Sequence, residues 1–225
     1  MTFSIAARCP RTGRFGVAVT SSSPAVAARC AHVRPGVGAV CSQNVTDPRL
    51  GTRLLDLLES GTPAGTAVRD LATQPHAEWR QLTAIGRTGP AAVFSGARVL
   101  GTYAEATAPD AVAAGNLLAN PDVPRAILTA FTTSDPSAPL ASRLVDALAA
   151  GAAAGGEAGP VHSAGLLVVD AVPWPVTDLR VDWTEGDPVA ELADLWKLWE
   201  PQEEAYVQRA LAPDEAPNYG VPGDE

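Results

Sequence analysis

The sequence predicts an α+β protein, a four-layer αββα sandwich of two antiparallel sheets. Three observations carry this. Adjacent alternating segments are joined by tight turns, which pair strands antiparallel. Helical segments arrive in pairs, as needed to cover the outer faces of two stacked sheets. Helices do not alternate singly with strands, so a doubly wound parallel sheet fits worse.

Each element follows from its pattern. Thr2 to Arg8 alternates, with Phe3, Ile5 and Ala7 on one face and Thr2, Ser4 and Ala6 on the other. Pro10-Arg11-Thr12-Gly13 supplies a turn and Phe15 to Thr20 alternates again, giving a hairpin that places Thr2 near Ser21. After Ser21-Ser22-Ser23-Pro24 and a small-residue stretch, Gly36 to Gln43 reads as a buried strand. Leu50, Leu54, Leu57 and Leu58 mark one helix; Ala64, Ala67, Val68 and Leu71 mark the next, with Thr62-Pro63 as N-cap and first turn. Gln81 to Ile85 and Ala91 to Phe94 flank a glycine turn as a second hairpin, followed by weaker strand signals at Val99–Tyr103 and Ala111–Leu118. Val123, Ile127 and Phe131, then Leu140, Leu144 and Leu148, recur at helical spacing, closed by the glycine-rich run from Gly151 to Gly159. Ala164–Val169 and Leu179–Val181 form a last strand pair, and Asp187-Pro188 opens a helix carrying Val189, Leu192, Leu195 and Trp199. Residues 1–212 read as one domain, and residues 213–225 as an acidic, proline-bearing, disordered tail.

Composition narrows the functional classes. Over 225 residues, 46% are hydrophobic and only 5% aromatic, so alanine, valine and leucine must fill most of the core. The net charge of −9 comes without clustered cations, which excludes a nucleic-acid binder of the ordinary kind. Proline, glycine or charge interrupts every apolar run before it reaches membrane-spanning length, and the start lacks a signal-peptide pattern. Cys9, Cys30 and Cys41 are odd in number and lack CxxC spacing, so no disulfide framework is expected and a reducing, cytoplasmic setting fits.

Thr2 is the most informative position. Methionine aminopeptidase removes Met1 when a small residue follows, leaving a first residue with both a hydroxyl and a free α-amine. That amine has an ordinary pKa near ~8, so it can take the hydroxyl proton near neutral pH. The bland alternative is an ordinary β-branched residue starting a strand. Ser4 shares its face, and Ser21 and Ser22 come close if the hairpin forms, as substrate-binding or proton-relaying hydroxyls or as a solvated turn. Asn116, in Gly115-Asn116-Leu117-Leu118, and Gln43 are candidate oxyanion donors, with Asn44 beside them; each is equally a strand-end residue bonding its own backbone. Asp182 either pairs with Arg180 or orients a substrate amine.

The rest of the inventory is negative. His32, His76 and His162 are isolated and no zinc spacing occurs, so neither metal nor cofactor is expected. Cys41 falls mid-strand in apolar company as a structural cysteine. No nucleotide-binding glycine loop is present. Trp196 and Trp199 either close the core or anchor a homo-oligomer interface.

Several motifs in one order resemble a known family: Thr2 to Arg8, Thr12 to Val19, Gly36 to Val40 ending at Gln43, Gly115 to Leu118, Ser163 to Val169, and Asp178 to Asp182 leading into Asp187 to Leu192. Together they look like the bacterial domain-of-unknown-function family 1028, whose members resemble N-terminal-nucleophile hydrolases. The resemblance implies the αββα fold and hydrolysis of a non-peptide or peptide-like amide bond. It departs from proteasome-like relatives in one respect. Those place a lysine beside the nucleophile, whereas Lys197, the single lysine of the sequence, lies in the C-terminal helix.

Two functional expectations stand. One is an amidohydrolase taking a small-molecule amide, with Thr2 as nucleophile and Asn116 or Gln43 at the oxyanion. The other is a non-catalytic ligand-binding or assembly protein that keeps the fold.

Overall fold

The structure is a computed structural model describing residues 2–223. Met1, whose removal the sequence reading invokes, lies outside the described residues. In chain order the elements are β1 (Thr2–Arg8), β2 (Phe15–Ser21), a short α1 (Ala27–Cys30), β3 (Ala31–Arg34), β4 (Gly38–Asn44), α2 (Pro48–Glu59), α3 (Ala64–Ala72), β5 (Arg80–Gly86), β6 (Ala92–Ser95), β7 (Ala104–Ala108), β8 (Ala111–Asn116), α4 (Val123–Thr133), α5 (Leu140–Ala153), β9 (Ser163–Val169), β10 (Pro175–Val181), α6 (Pro188–Trp199) and α7 (Glu203–Leu211).

All strand pairings are antiparallel, in a six-stranded sheet of order β10-β9-β2-β1-β8-β7 and a four-stranded sheet of order β3-β4-β5-β6. Helices α4, α5 and α6 cover the outer face of the large sheet, and α2 and α3 cover the small one. The expected αββα sandwich is therefore the architecture. Period-two alternation sets the layers. Phe3, Ile5 and Ala7 of β1 point toward the helices, into a core with Ile127, Leu144, Leu148 and Leu166. Ala6 of the same strand faces the other sheet, with Val17, Val19, Ala39 and Cys41. A third core, holding Leu54, Val68 and Leu82, lies between the small sheet and its helices. Leu144 is fully buried in the first core. Leu144→Ala is therefore expected to cost about 2–5 kcal/mol, since the surrounding close-packed residues cannot collapse into the void; a urea titration measures it.

Helix starts follow the local chemistry. The Asp187 side chain accepts from the backbone N–H groups of Val189 (2.9 Å) and Ala190 (3.1 Å), with Pro188 in the first turn. Asp47 caps α2 in the same way, accepting from Arg49 N–H. The expected Thr62 cap is not formed: α3 starts one residue later, behind Pro63, without a side-chain cap. The strand expected over Val99–Tyr103 is a loop. Gly101 turns the chain there at φ +61°, and pairing with β8 begins only at Ala104. The small-residue stretch after Pro24 holds α1 and β3, and α7 follows the last predicted helix; periodicity marked none of these.

Trp196 and Trp199 pack within the same chain, their indole N–H groups donating to Ser142 Oγ (2.9 Å) and the Val176 carbonyl (3.1 Å). The acidic segment opens with a 3-10 turn at Pro213–Glu215, and Arg209 donates to the carbonyls of Pro217 and Asn218. No helix among the described residues is long and apolar enough to cross a membrane.

Candidate functional site

The layer between the sheets is apolar at one end and polar at the other. Even-numbered positions of β1 face the small sheet, so Thr2 and Ser4 continue the face of Ala6. In register, Thr2 stands opposite Asn116 of β8, and Phe3 opposite Thr20 of β2, which brings Ser21 beside Thr2. The hairpin register read from the sequence holds: Thr2 Oγ1 lies 3.5 Å from Ser21 Oγ. Thr2 is buried, at 4% exposure.

From there a chain of side chains crosses between the sheets. Ser4 Oγ donates to Gln43 Oε1 (2.7 Å), and Gln43 Nε2 donates to Gln81 Oε1 (2.8 Å). Asn116 Nδ2 donates to that same Gln81 oxygen at 3.1 Å. Gln81 Nε2 in turn donates to Ser95 Oγ (3.0 Å) and to the carbonyl of Gly115 (3.1 Å). Ser4, Gln43, Gln81 and Asn116 are all fully buried. Such polar groups persist in a core only when bonded to one another. One atom departs from the rule. Asn116 Oδ1 is buried without a hydrogen-bond partner, an acceptor left open one strand away from Thr2.

The turn after β2 is pinned with similar care. Ser21 Oγ accepts from Ser23 N–H (3.0 Å), Ser163 Oγ donates to the Ser23 carbonyl (2.6 Å), and Val26 N–H donates to Ser163 Oγ (3.2 Å). Backbone strain gathers around this end of the sandwich. Ala25 in the turn after β2, Asn44 at the end of β4 and Leu117 just past β8 adopt positive φ of 50°, 73° and 52°. For alanine and leucine this conformation costs about 1–2 kcal/mol each, which the surrounding structure must overcome.

The sequence candidates thus divide. Thr2, Ser4, Ser21, Gln43 and Asn116 converge on one polar cluster, with Ser22 at its edge. Asn44 does not join it: its amide donates to the Trp79 carbonyl (2.6 Å) and accepts from Leu100 N–H (3.2 Å), tying loops together. Asp182 pairs with Arg180 at 3.0 Å on the surface. Lys197 pairs with Asp194, also on the surface. Burial pushes the Cys41 thiol up to about 12, against hydrogen bonds from Ser4 and Thr83, so no thiolate nucleophile forms there. No group of three or more metal-ligating side chains occurs among the described residues.

Two residues of the cluster escaped the sequence reading. Gln81 reads in the sequence only as the start of a strand, yet its side chain takes part in four hydrogen bonds, two of which, with Asn116 and the Gly115 carbonyl, join the sheets. Glu157, 6% exposed, accepts Ser22 N–H on both carboxylate oxygens at 3.3 Å. Burial pushes its carboxyl up to about 7, while the Ser22 hydrogen bonds and the nearby His162 pull the other way. A signal was available: Glu157 is the sole charged side chain between Asp146 and His162, in a run of alanine and glycine.

Fold and site define a class: two-sheet αββα proteins that carry a buried hydroxyl and amide cluster around the first strand's leading residue. Residues 2–192 match the model of a family of unknown function, DUF1028. The chain belongs to that family. It is similar to the crystal structure of a family protein from Silicibacter pomeroyi, at 30% identity and TM-score 0.80 over 88% of each chain. Looser matches are the ancestral β-subunit Anbu from Yersinia bercovieri (14% identity, TM-score 0.41, 92% of this chain and 97% of that one) and an Anbu (Gly-1) mutant from Hyphomicrobium sp. strain MC1 (12%, 0.45, 98% and 100%). No curated protein matches the chain.

Proposed function

We propose that this chain is an amide-bond hydrolase of the N-terminal-nucleophile kind, with Thr2 as nucleophile once Met1 is removed. The observation that carries the reading is the position of Thr2: it leads a central strand, on the inter-sheet face, at the meeting point of Ser21, Asn116 and the Gln43–Gln81 pair. A strand paired on both sides holds the hydroxyl and the adjacent amine in fixed directions, as an effective nucleophile requires.

In this mechanism the α-amine takes the Thr2 hydroxyl proton as Oγ1 bonds to the amide carbonyl carbon. The carbonyl electron pair moves to oxygen. The ammonium then returns its proton to the leaving nitrogen as the C–N bond breaks, leaving an ester on Thr2. Water, deprotonated by the same amine, hydrolyses that ester and restores the hydroxyl. Asn116 and Gln43 each commit an N–H to Gln81, and each primary amide has a second N–H to offer a developing oxyanion.

The substrate is a small molecule with a non-peptide or peptide-like amide, which a panel of amides screened with a Thr2→Ala control tests. Turnover that vanishes in the variant supports the proposal; turnover that persists rejects Thr2. One observation favours a second reading, a ligand-binding protein without turnover: Thr2 retains only 4% exposure. In that case ligands shift the melting temperature while no amide is consumed.

A further inference from the structure

Glu157 is held in an unusual place. Leu118, two residues past Asn116 at the end of β8, forms an antiparallel bridge to Glu157. The carboxylate meanwhile receives the backbone N–H of Ser22, one residue past the end of β2. Strands β8 and β2 are the two neighbours of β1. The Glu157 segment therefore bridges from one neighbour to the other across the amino end of the strand that Thr2 leads. Two glycines bring it there: Gly155 and Gly156, at φ +121° and +58°, turn the chain out of α5 through conformations that side chains disfavour. Main-chain bonds fix both sides of the crossing, Ala119 N–H to the Gly156 carbonyl (3.0 Å) and Ala158 N–H to the Leu117 carbonyl (3.0 Å).

A carboxylate this buried is costly to ionise without a cationic partner. Among the described residues Glu157 forms no salt bridge. The titratable side chain acting on it is His162, whose Nδ1 is turned to the Thr184 carbonyl at 2.8 Å.

We infer that Glu157 is the positioning residue for the Thr2 α-amine, accepting a hydrogen bond from it and stabilising the ammonium that forms when the amine takes the hydroxyl proton. This rests on the proposed role of Thr2 and deepens it.

Full-length chain beginning at Thr2, released from a fusion cut directly before that residue, provides the test. The Thr2 amine is titrated by NMR after mild isotopic methylation, in the parent protein and in Glu157→Gln and Glu157→Asp. A neighbouring carboxylate raises an amine's pKa, so Glu157→Gln is expected to lower it by about one unit or more, a tenfold shift in the proton equilibrium. Glu157→Asp keeps the charge and should restore part of the shift. Where turnover is measurable, the acid limb of the rate profile moves to lower pH in Glu157→Gln, and the plateau falls by roughly 10–100-fold. An amine that titrates identically in all three proteins overturns the inference, while Thr2→Ala decides the nucleophile separately.

Discussion

Thr2→Ala is expected to reduce amide turnover by roughly 10³-fold or more, because the ester intermediate forms on the Thr2 hydroxyl. The same substitution should leave the fold intact. Thr2 contributes a small side chain whose hydroxyl meets Ser21 Oγ at a long 3.5 Å, so stability should change by only about 1 kcal/mol. Turnover and denaturation measured on the same preparation separate the two effects. Thr2→Ser is the informative companion: it keeps hydroxyl and amine and should retain part of the activity. If Thr2→Ala keeps activity, the nucleophile lies elsewhere in the cluster, with Ser4 and the serines near Ser22 next in line.

Gln81→Leu should be the most damaging single change in the polar layer. Leucine nearly matches glutamine in volume, so the loss would come from the hydrogen bonds and not from a void. Gln43 Nε2 and Asn116 Nδ2 would lose their shared acceptor, and the Gly115 carbonyl and Ser95 Oγ their donor. Each buried group left unsatisfied costs about 1–3 kcal/mol, and with partial compensation the sum comes to roughly 3–5 kcal/mol. That is a large share of the ~5–15 kcal/mol that holds a domain together. Adding Gln43→Leu removes one orphan, so the double variant should be less destabilised than the two singles predict together. Strict additivity would mean the two amides do not act as one unit.

Much of the fold was legible because period-two alternation and tight turns are local signals. The β1–β2 hairpin, its register near Ser21, and the helix start at Asp187 all came from residues close in sequence. The candidate cluster was legible in part for the same reason: Thr2, Ser4 and Ser21 belong to one hairpin. Gln81 was not, since its meaning depends on β5 lying across from β8, a relation between sheets that no local pattern records. Asn116 was singled out for its glycine neighbour, but its pairing with Thr2 is likewise long-range. Glu157 was hidden differently. It sits in a glycine-rich turn that reads as a helix terminator, and only the bridge to Leu118 shows where it points. Asn44 stands out in the sequence through its neighbour Gln43, but its side chain ties loops together, and of the two readings of Asp182 the structure shows the surface pair with Arg180.

The measurement that bears most directly on this account is the intact mass of the native protein, combined with periodate treatment, which cleaves a residue carrying adjacent amine and hydroxyl groups. The account predicts a chain that lacks Met1, starts at Thr2 and is oxidised at that residue. A chain that retains Met1, or whose first residue is blocked and resists periodate, would contradict it.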